Sequence, residues 1–577
     1  MALSPPAAAL VLRLRLMAPS VLPDAAMHTI YIIDPRDVFT RYAAAYATTA
    51  RLREGARVGF LVPARLAYLA FGPVPGFLVT RYVLALIAVG PVYLLLRRLY
   101  GPPAGVAGIL VVLSSPVIVT AWGTDYPDCA VVSCAAGALA CLAMPCARRW
   151  RRAWLAAAGV LLVMAVWSQG VGVALAGATL VGYLGVRLVR DRAGLPGDLA
   201  LLAAVAAAVT GLLVVASAVV IGHANFIGLT WQAFRYLSTP GETTVWHSAN
   251  WRWAPYVTYL LVPPAVLVAF AVAVTHRTRA VQTPVLLVGV VTAVQLVAYA
   301  WLQFGSTVQT LEEHYFSSTL WGGVALTMAI TVAELARPLS DRPLTRWLPA
   351  AVLLAVPLGY EADPHVPSLG WLPFGAIMAA SVIVAAAAAR GGARLRRRSA
   401  AAAATGLALA AFAGAILVLT VAPIPPHPRL DDNIFSPKPD YSSALGGSTT
   451  GYIDNYRIAT ALPGFVGPAA YRGEQVFVWR MNPSAWIYDS GMYHGHFNSL
   501  ESTLALTVYD RLKLELRRPA ELLLMGSSTA SFPTALRELA YYRPTLTHAG
   551  DLRAGPLVLH VWVIRLGRYY HPPTPAR

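Results

Sequence analysis

Charged side chains are scarce in this sequence. Of its 577 residues only 12% are Asp, Glu, Lys or Arg, and 57% are hydrophobic, whereas soluble domains carry about 25% charged residues. This composition excludes a cytosolic or secreted globular enzyme and indicates a polytopic membrane protein. The net charge of +18 does not indicate a nucleic-acid partner, because the basic residues form short clusters between apolar runs, as membrane topology requires.

Cysteine is also scarce, and its placement excludes a thiolate metal centre. The four cysteines lie in one apolar stretch, and no CxxC or Cys/His spacing typical of a metal site occurs. The pair His494 and His496, two residues apart, is too weak a signal to predict a metal ion. The cysteines are therefore predicted to be small apolar packing residues. They are Cys129, Cys134, Cys141 and Cys146.

Long apolar runs predict a mainly α polytopic membrane helix bundle. A spanning helix needs about 20 mostly apolar residues. The run 153–187 is too long for one helix, so two helices are predicted, with a turn near Ser168, Gln169 and Gly170. With a weak run near 6–23, the total is about 12 or 13 spans. The other predicted spans lie near 77–96, 105–122, 129–146, 199–222, 255–275, 281–303, 316–336, 347–360, 369–389 and 399–422.

Arginine clusters predict the orientation of the bundle in a plasma membrane. Positive residues accumulate in cytoplasmic loops, and here the clusters alternate correctly with the predicted spans. The remaining loops, among them 24–76 and 223–254, then face outward together with the tail after 422. The clusters are Arg97-Arg98, Arg148–Arg152, Arg187–Arg192, His276–Arg279, Arg337–Arg346 and Arg390–Arg398.

The composition of the chain divides it into three parts. Residues 1–422 form the membrane domain, 423–445 a Pro-rich linker, and 446–577 a small extracytoplasmic α/β domain. The pattern in this last part predicts a helix near Pro533–Ala540. Its predicted strands are Val476–Trp479, Glu521–Met525 and Leu557–Ile564.

The few carboxylates of the membrane domain cluster at the predicted outer ends of spans. Acids beside membrane spans are costly unless they are functional, paired or hydrated. The alternatives are that Asp34 caps a helix, that the acids of the second loop cap the next span, and that those of the later loop form a solvated face. The residues are Asp34 and Asp37 in the first outer loop, Asp125 and Asp128 in the second, and Glu312, Glu313 and His314 in a later one.

The first outer loop, 24–76, is long and rich in arginine. The segments Ala43–Leu52 and Arg57–Arg65 mix apolar residues with arginine, which predicts amphipathic helices lying at the membrane interface. Arginines on the outer side run against the positive-inside trend, so they indicate an anionic ligand, and a lipid phosphate is the natural candidate. Contact with lipid headgroups is the alternative interpretation.

The sequence resembles the GT-C superfamily of integral-membrane glycosyltransferases, of the protein O-mannosyltransferase and lipid A aminoarabinose transferase type. The resemblance lies in a carboxylate in a long first outer loop and in the stretch Phe77–Pro116. There a span leads to Leu95-Leu96-Arg97-Arg98-Leu99-Tyr100-Gly101, and a second span ends in Leu113-Ser114-Ser115-Pro116. Asp125 follows in the next outer loop. The similarity covers roughly the first 330 residues at the level of pattern.

The resemblance implies transfer of a sugar from a polyprenyl-phosphate donor to a cell-envelope acceptor, with inversion and on the extracytoplasmic side. The implied catalytic base is an acid of the first outer loop, Asp37 first and Asp34 second; the family pair of adjacent acids is split here. Asp125 maps onto the acid of the second loop. Cofactors stay undefined, with a divalent metal left open. The implied donor-phosphate ligands are Arg41, Arg57, Arg65 and His314, and the acceptor-side residues are Asp128, Glu312 and Glu313.

Two other classes compete with this hypothesis. A polytopic transporter or lipid-linked sugar flippase predicts charges in the middle of spans and two similar halves, and neither is evident in the sequence. A polymerase of surface polysaccharide would share the lipid-linked donor and the outer-face chemistry. Membrane lipid is a partner under each hypothesis.

Overall fold

The computed structural model describes two parts of the chain. The helical part comprises residues 53–114, 127–237, 282–305 and 314–336, with scattered positions at 31, 32, 35, 118, 121, 122 and between 263 and 274. The second part comprises the strands between 476 and 566. The predicted spans near 6–23, 347–360, 369–389 and 399–422, the linker and the helix near Pro533–Ala540 lie outside the described residues.

Ten helices make up the described helical part, and they confirm its mainly α character. Five stretches are long and apolar enough to cross a membrane: Leu78–Tyr100, Arg149–Ser168, Val171–Arg190, Leu195–Ile221 and Thr283–Leu302. The chain is therefore a multi-pass membrane protein. The helices are α1 (Val58–Phe71), α2 (Pro73–Tyr100), α3 (Pro102–Ser114), α4 (Asp128–Leu142), α5 (Arg148–Ser168), α6 (Val171–Arg190), α7 (Leu195–Ala216), α8 (Phe226–Leu237), α9 (Thr283–Gly305) and α10 (His314–Ala336).

The predicted division of 153–187 into two helices is confirmed. Helix α5 ends at Ser168 because Gln169 has extended backbone angles, φ −160° and ψ 148°. Helix α6 then begins at Val171. The helices α5 and α6 form an antiparallel pair whose connection lies at the end of the bundle that the arginine pattern predicts to face outward. We call that end the outer end; α4 and α10 also begin there, and α9 ends there.

Helix α1 covers most of the segment Arg57–Arg65, and its burial changes along its length. Its first half is buried at consecutive positions, from Val58 through Val62. A helix lying flat on a membrane would expose one face along its length. Consecutive burial shows that this half packs among other helices, while Leu66, Leu69 and Phe71 in the second half are exposed. The interfacial position of the segment stays a prediction. The segment Ala43–Leu52 lies outside the described residues.

Large apolar side chains on the long helices are exposed, and the membrane explains them. Leu212, Val215 and Val219 lie on α7 and the π-helical turn that continues it, Ser217–Ile221, and all three are largely exposed. In water such a surface would cause aggregation; in a bilayer it contacts lipid tails. The cysteines confirm the packing prediction, since Cys129, Cys134 and Cys141 are buried and all four are free thiols.

Hydrogen bonds between buried polar side chains join α6, α9 and α10. Gln295 Nε2 donates to Thr179 Oγ1 at 2.9 Å, and the hydroxyls of Thr292 and Thr327 lie 2.8 Å apart. Gly323 lets the backbone of α10 approach α9, since a Cβ there would lie 2.5 Å from Gln295 Oε1. Interhelical hydrogen bonds between small residues are a common way to fix helix pairs in membranes.

The two arginine clusters around α5 and α6 meet at the inner end of the bundle, opposite the outer end. Arg187 lies 3.4 Å from Asp198 and 2.7 Å from Asp191, and Arg151 makes an ion pair with Asp198. Tyr183 Oη also donates to Asp198 at 2.7 Å. The Asp198 carboxylate thus accepts hydrogen bonds from Arg151 and Tyr183 and forms an ion pair with Arg187, and it ties α7 to α5 and α6.

The strands of the second part form a mixed sheet in the order β2-β1-β3-β5-β4. Strands β1 and β3 run parallel, and β5 is antiparallel to both β3 and β4. The three predicted strands are observed, whereas β2 and β4 have no counterpart in the sequence prediction. The strands are β1 (Val476–Arg480), β2 (Phe497–Ser499), β3 (Glu521–Gly526), β4 (Pro544–Ala554) and β5 (Leu557–Leu566).

Replacing Asp198 by Ala should destabilise the helical part far more than replacing Asp191 by Ala. The Asp198 side chain is 11% exposed and that of Asp191 is 45% exposed, although both pair with the same arginines. Breaking a buried pair costs about 3–5 kcal/mol, whereas an exposed pair contributes about 0–1 kcal/mol. Thermal unfolding in detergent measures the difference; equal losses would show that burial does not set the strength of this cluster.

Candidate functional site

The start of the first outer loop is fastened to helix α1. Arg65 Nη1 donates a hydrogen bond of 2.8 Å to the backbone carbonyl of Ile32, and both Tyr31 and Ile32 are buried. Ile32 precedes Asp34 by two residues. The hydrogen bond therefore fixes the point at which the chain enters the segment that carries Asp34 and Asp37, although these two acids lie outside the described residues.

Helix α1 is itself held against the outer end of α5 by a close backbone approach. A Cβ at Gly59 would lie 2.4 Å from Met164 O and 2.8 Å from Ser168 Oγ, so only glycine fits. The next turn of α1 carries Arg65, and the residue before α1 is the half-buried Arg57. Packing at Gly59 thus sets the position of Arg57 and Arg65 along the bundle axis relative to the α5–α6 connection.

Gln169 in that connection is a buried amide with no hydrogen-bond partner among the described residues. The residue is 4% exposed, and neither Nε2 nor Oε1 is paired. Leaving a buried polar group unpaired costs about 1–3 kcal/mol. A further molecule or segment that hydrogen-bonds to the amide would offset this cost. A primary amide suits the hydroxyl groups of a sugar because it both donates and accepts hydrogen bonds.

The second outer loop is fixed on both sides of Asp125. Before it, the buried indole of Trp122 donates from Nε1 to Ser133 Oγ at 2.9 Å. After it, Asp128 is the first residue of α4 and is 4% exposed. A carboxylate in the first turn complements the helix dipole. Asp125 itself lies outside the described residues, but the chain has two buried anchors three residues to either side.

Asp128 belongs to a polar group shared by three helices at the outer end. Its charge interacts electrostatically with Tyr299 of α9, and the Tyr299 hydroxyl forms a hydrogen bond with Thr319 of α10. Tyr299 and Thr319 are buried. Ionisable residues in membrane spans are rare and costly, so Asp128 and its neighbours are candidates for a functional role.

Among the predicted phosphate-binding residues, the structure describes the side-chain contacts of Arg65, only the backbone position of His314, and nothing of Arg41. Arg65 contacts the Ile32 carbonyl and the Tyr68 ring, with Cζ 5.3 Å from the ring centroid. We therefore assign Arg65 a positioning role as well as a charge. His314 begins α10 at the outer end, but its side chain is not described. Arg41, Glu312 and Glu313 lie outside the described residues.

Sequence reasoning misses four residues of this region. The sequence pattern identifies Gln169 only as a helix break, while Tyr299 and Trp122 carry no distinguishing pattern. Arg81 could have been found, because a charge inside an apolar run is a signal by itself. It lies one turn inside the span Leu78–Tyr100 and is 2% exposed.

No protein-family model matches the chain, and no curated protein matches it. Among solved structures, ArnT from Cupriavidus metallidurans is similar in its apo state, at 19% identity and a TM-score of 0.48, covering 96% of each chain. The same protein bound to undecaprenyl phosphate gives 17% identity and a TM-score of 0.47, covering 98% of each chain.

The archaeal oligosaccharyltransferase AglB from Archaeoglobus fulgidus, in complex with an inhibitory peptide and a dolichol-phosphate, is also similar. The identity is 12% and the TM-score 0.41, over 91% of this chain and 69% of that one. This likeness concerns the course of the chain alone.

Replacing Gly59 by Val should push α1 away from α5 and lower the stability of the bundle. Overpacking of this kind costs about 1–3 kcal/mol, and the clash here is with backbone. Gly177→Ala in α6 is the matched control, since a Cβ there meets nothing within 4 Å. The melting temperature in detergent measures both variants. An unchanged melting temperature in the Gly59→Val variant would contradict the close approach.

Replacing Gln169 by Leu should stabilise the ligand-free protein by about 1–3 kcal/mol, because an unpaired buried amide is removed. Gln295→Leu is the matched control: the same substitution removes a hydrogen bond to Thr179, so it should destabilise. Thermal unfolding without donor compares the two. Equal destabilisation would show that the Gln169 amide is paired within the protein.

Proposed function

We propose that this chain is a membrane glycosyltransferase that moves a sugar from a polyprenyl-phosphate donor onto an acceptor at the outer face of the plasma membrane. The observation that carries the proposal is the hydrogen bond from Arg65 to the Ile32 carbonyl. It ties an acid-bearing loop to a cationic helix at the edge of an apolar bundle. Transfer from a lipid-linked donor needs a base for the acceptor hydroxyl, a positive charge for the phosphate and an apolar surface for the lipid chain.

The base in this mechanism is an acid of the first outer loop, Asp37 or Asp34. A sugar hydroxyl is a poor nucleophile, so a carboxylate within hydrogen-bond reach accepts its proton as the oxygen attacks the anomeric carbon. The bond from that carbon to the phosphate oxygen breaks on the opposite side, which inverts the anomeric centre. The leaving group is polyprenyl phosphate, and it takes the electron pair of the broken bond.

The arginines around α1 stabilise the phosphate as its negative charge increases. Guanidinium groups bind phosphate oxygens in a fixed fork geometry, and a partly dehydrated site strengthens their effect. Arg57 and Arg41 take this role in the proposal, while Arg65 also holds the loop. His314 is the further candidate ligand for the phosphate.

The second and later outer loops supply the acceptor side of the proposed site. Asp125 lies between the anchors Trp122 and Asp128 along the sequence, and we assign it to the acceptor side on that ground. Gln169 offers its amide to a sugar hydroxyl of the donor or acceptor. Glu312 and Glu313 precede α10, whose first turns carry Thr319 against Tyr299, and they belong to the same acceptor side.

Turnover should depend on one acid of the outer loops. Purified protein in lipid nanodiscs is given a panel of polyprenyl-phosphate sugars with cell-envelope extract as acceptor, and release of polyprenyl phosphate is followed by mass spectrometry. Asn in place of the general base should lower kcat by about 10²–10⁴-fold. The variants are Asp37→Asn, Asp34→Asn and Asp125→Asn, and Asp191→Asn at the inner end is the control that keeps its activity.

Three outcomes would contradict the proposal. Transfer that survives all three outer-loop substitutions would remove the acid-base mechanism. Intact donor that crosses the bilayer of proteoliposomes without cleavage would make the chain a flippase. Chain elongation of an added glycan, in place of single transfer, would make it a polysaccharide polymerase.

A further inference from the structure

The hairpin of β4 and β5 gathers two histidines and one aspartate on one face of the sheet. His560 Nδ1 lies 2.8 Å from Asp551 Oδ1, and His548 Nε2 lies 3.0 Å from the same oxygen. Their ligand atoms all lie within 4.8 Å of one another. No residue of the described outer end contributes to this group, and the proposed transfer reaction does not use it.

A β-bulge creates this arrangement. Along a regular strand, residues three apart point to opposite faces of a sheet, so His548 and Asp551 would be separated. The register shifts between His548 and Gly550, and the extra residue, Ala549, brings both side chains to the same face. His560 stands directly opposite Asp551 in the ladder, and Trp562 stands opposite His548.

The three side chains are accessible from solvent. His548 is 44% exposed, Asp551 41% and His560 36%, so an ion can enter and a further coordination position stays open to water or another ligand. The Trp562 ring lies 4.7 Å from the His548 ring, which limits the movement of that histidine. Trp562 also places an intrinsic fluorophore beside the group.

The chemistry of the group suits a divalent transition metal. Two imidazoles and one carboxylate are ligands that Zn²⁺ accepts, with bonds of about 2.0–2.2 Å. Donor atoms around a tetrahedral ion with such bonds lie about 3.3 Å apart. The Asp551 oxygen already lies 2.8 and 3.0 Å from the two imidazole nitrogens, and the two nitrogens, within 4.8 Å of each other, approach by rotation of the histidine side chains.

We propose that His548, Asp551 and His560 form a binding site for one divalent transition-metal ion of the Zn²⁺ type, with an open position for water or an external ligand. Hard ions such as Mg²⁺ and Ca²⁺ are not expected there, because they prefer oxygen ligands. The proposal is independent of the sugar-transfer reaction, so either can fail without the other.

The test uses the full-length protein, purified without a histidine tag and stripped with a chelator. Zn²⁺ is titrated in competition with a chromophoric chelator, and Co²⁺ serves as a probe of coordination through its visible absorption. The expected result is one ion per chain, with affinity lowered at least tenfold in His548→Ala, Asp551→Asn and His560→Ala.

The double variant His494→Ala/His496→Ala is the matched control, since it removes another pair of histidines from the same region of the chain. It should keep the site intact. Folding of each variant is checked by thermal unfolding without metal. Zn²⁺ should raise the melting temperature of the unsubstituted protein and of this control, but not that of the hairpin variants. Three results would overturn the proposal: no bound ion, affinity unchanged in the hairpin variants, or binding lost only in the control.

Discussion

Hydrocarbon offers no partner to a polar group, and this constraint organises the helical part of the molecule. Backbone groups satisfy one another within helices. Polar side chains inside the bundle pair across helices, as Gln295 does with Thr179. Charged groups meet at the inner end, where Asp198 pairs with Arg151 and Arg187. Gln169 departs from this rule among the described residues, so stability alone does not explain why an amide stands there.

The two ends of the bundle handle charge in different ways. At the inner end, acids and arginines neutralise one another within a single cluster, and its role is to hold α5, α6 and α7 together. At the outer end, the described acid Asp128 lies with Tyr299 and Thr319, and Gln169 has both amide atoms unpaired among the described residues. The unpaired Gln169 amide makes the outer end a candidate for binding a polar ligand, while at the inner end Arg187 forms ion pairs with Asp191 and Asp198.

The apolar pattern predicted the helices well, because the length of a membrane span and its hydrophobicity leave little choice. The division of 153–187 followed from the length of that run, and the structure places the break at Gln169. Helix α1 shows the limit of the same reasoning. Arginines between apolar residues indicated a helix with one exposed face, yet Val58 to Val62 are buried at consecutive positions, and Gly59 lies against the backbone of α5. The hydrophobic pattern of a segment does not identify the other segments that it packs against.

The sequence by itself determined the class of protein, its principal spans and the acids and arginines worth testing, since hydrophobicity and charge are properties of single residues. Only the tertiary structure decided which residues meet. Arg65 reaches Ile32 from 33 positions away, and Tyr299 joins Asp128 and Thr319 across three helices. In the sheet, one extra residue at Ala549 turns His548 toward Asp551. Each of these contacts depends on how separate segments of the chain pack together. A local pattern of residues does not specify that packing.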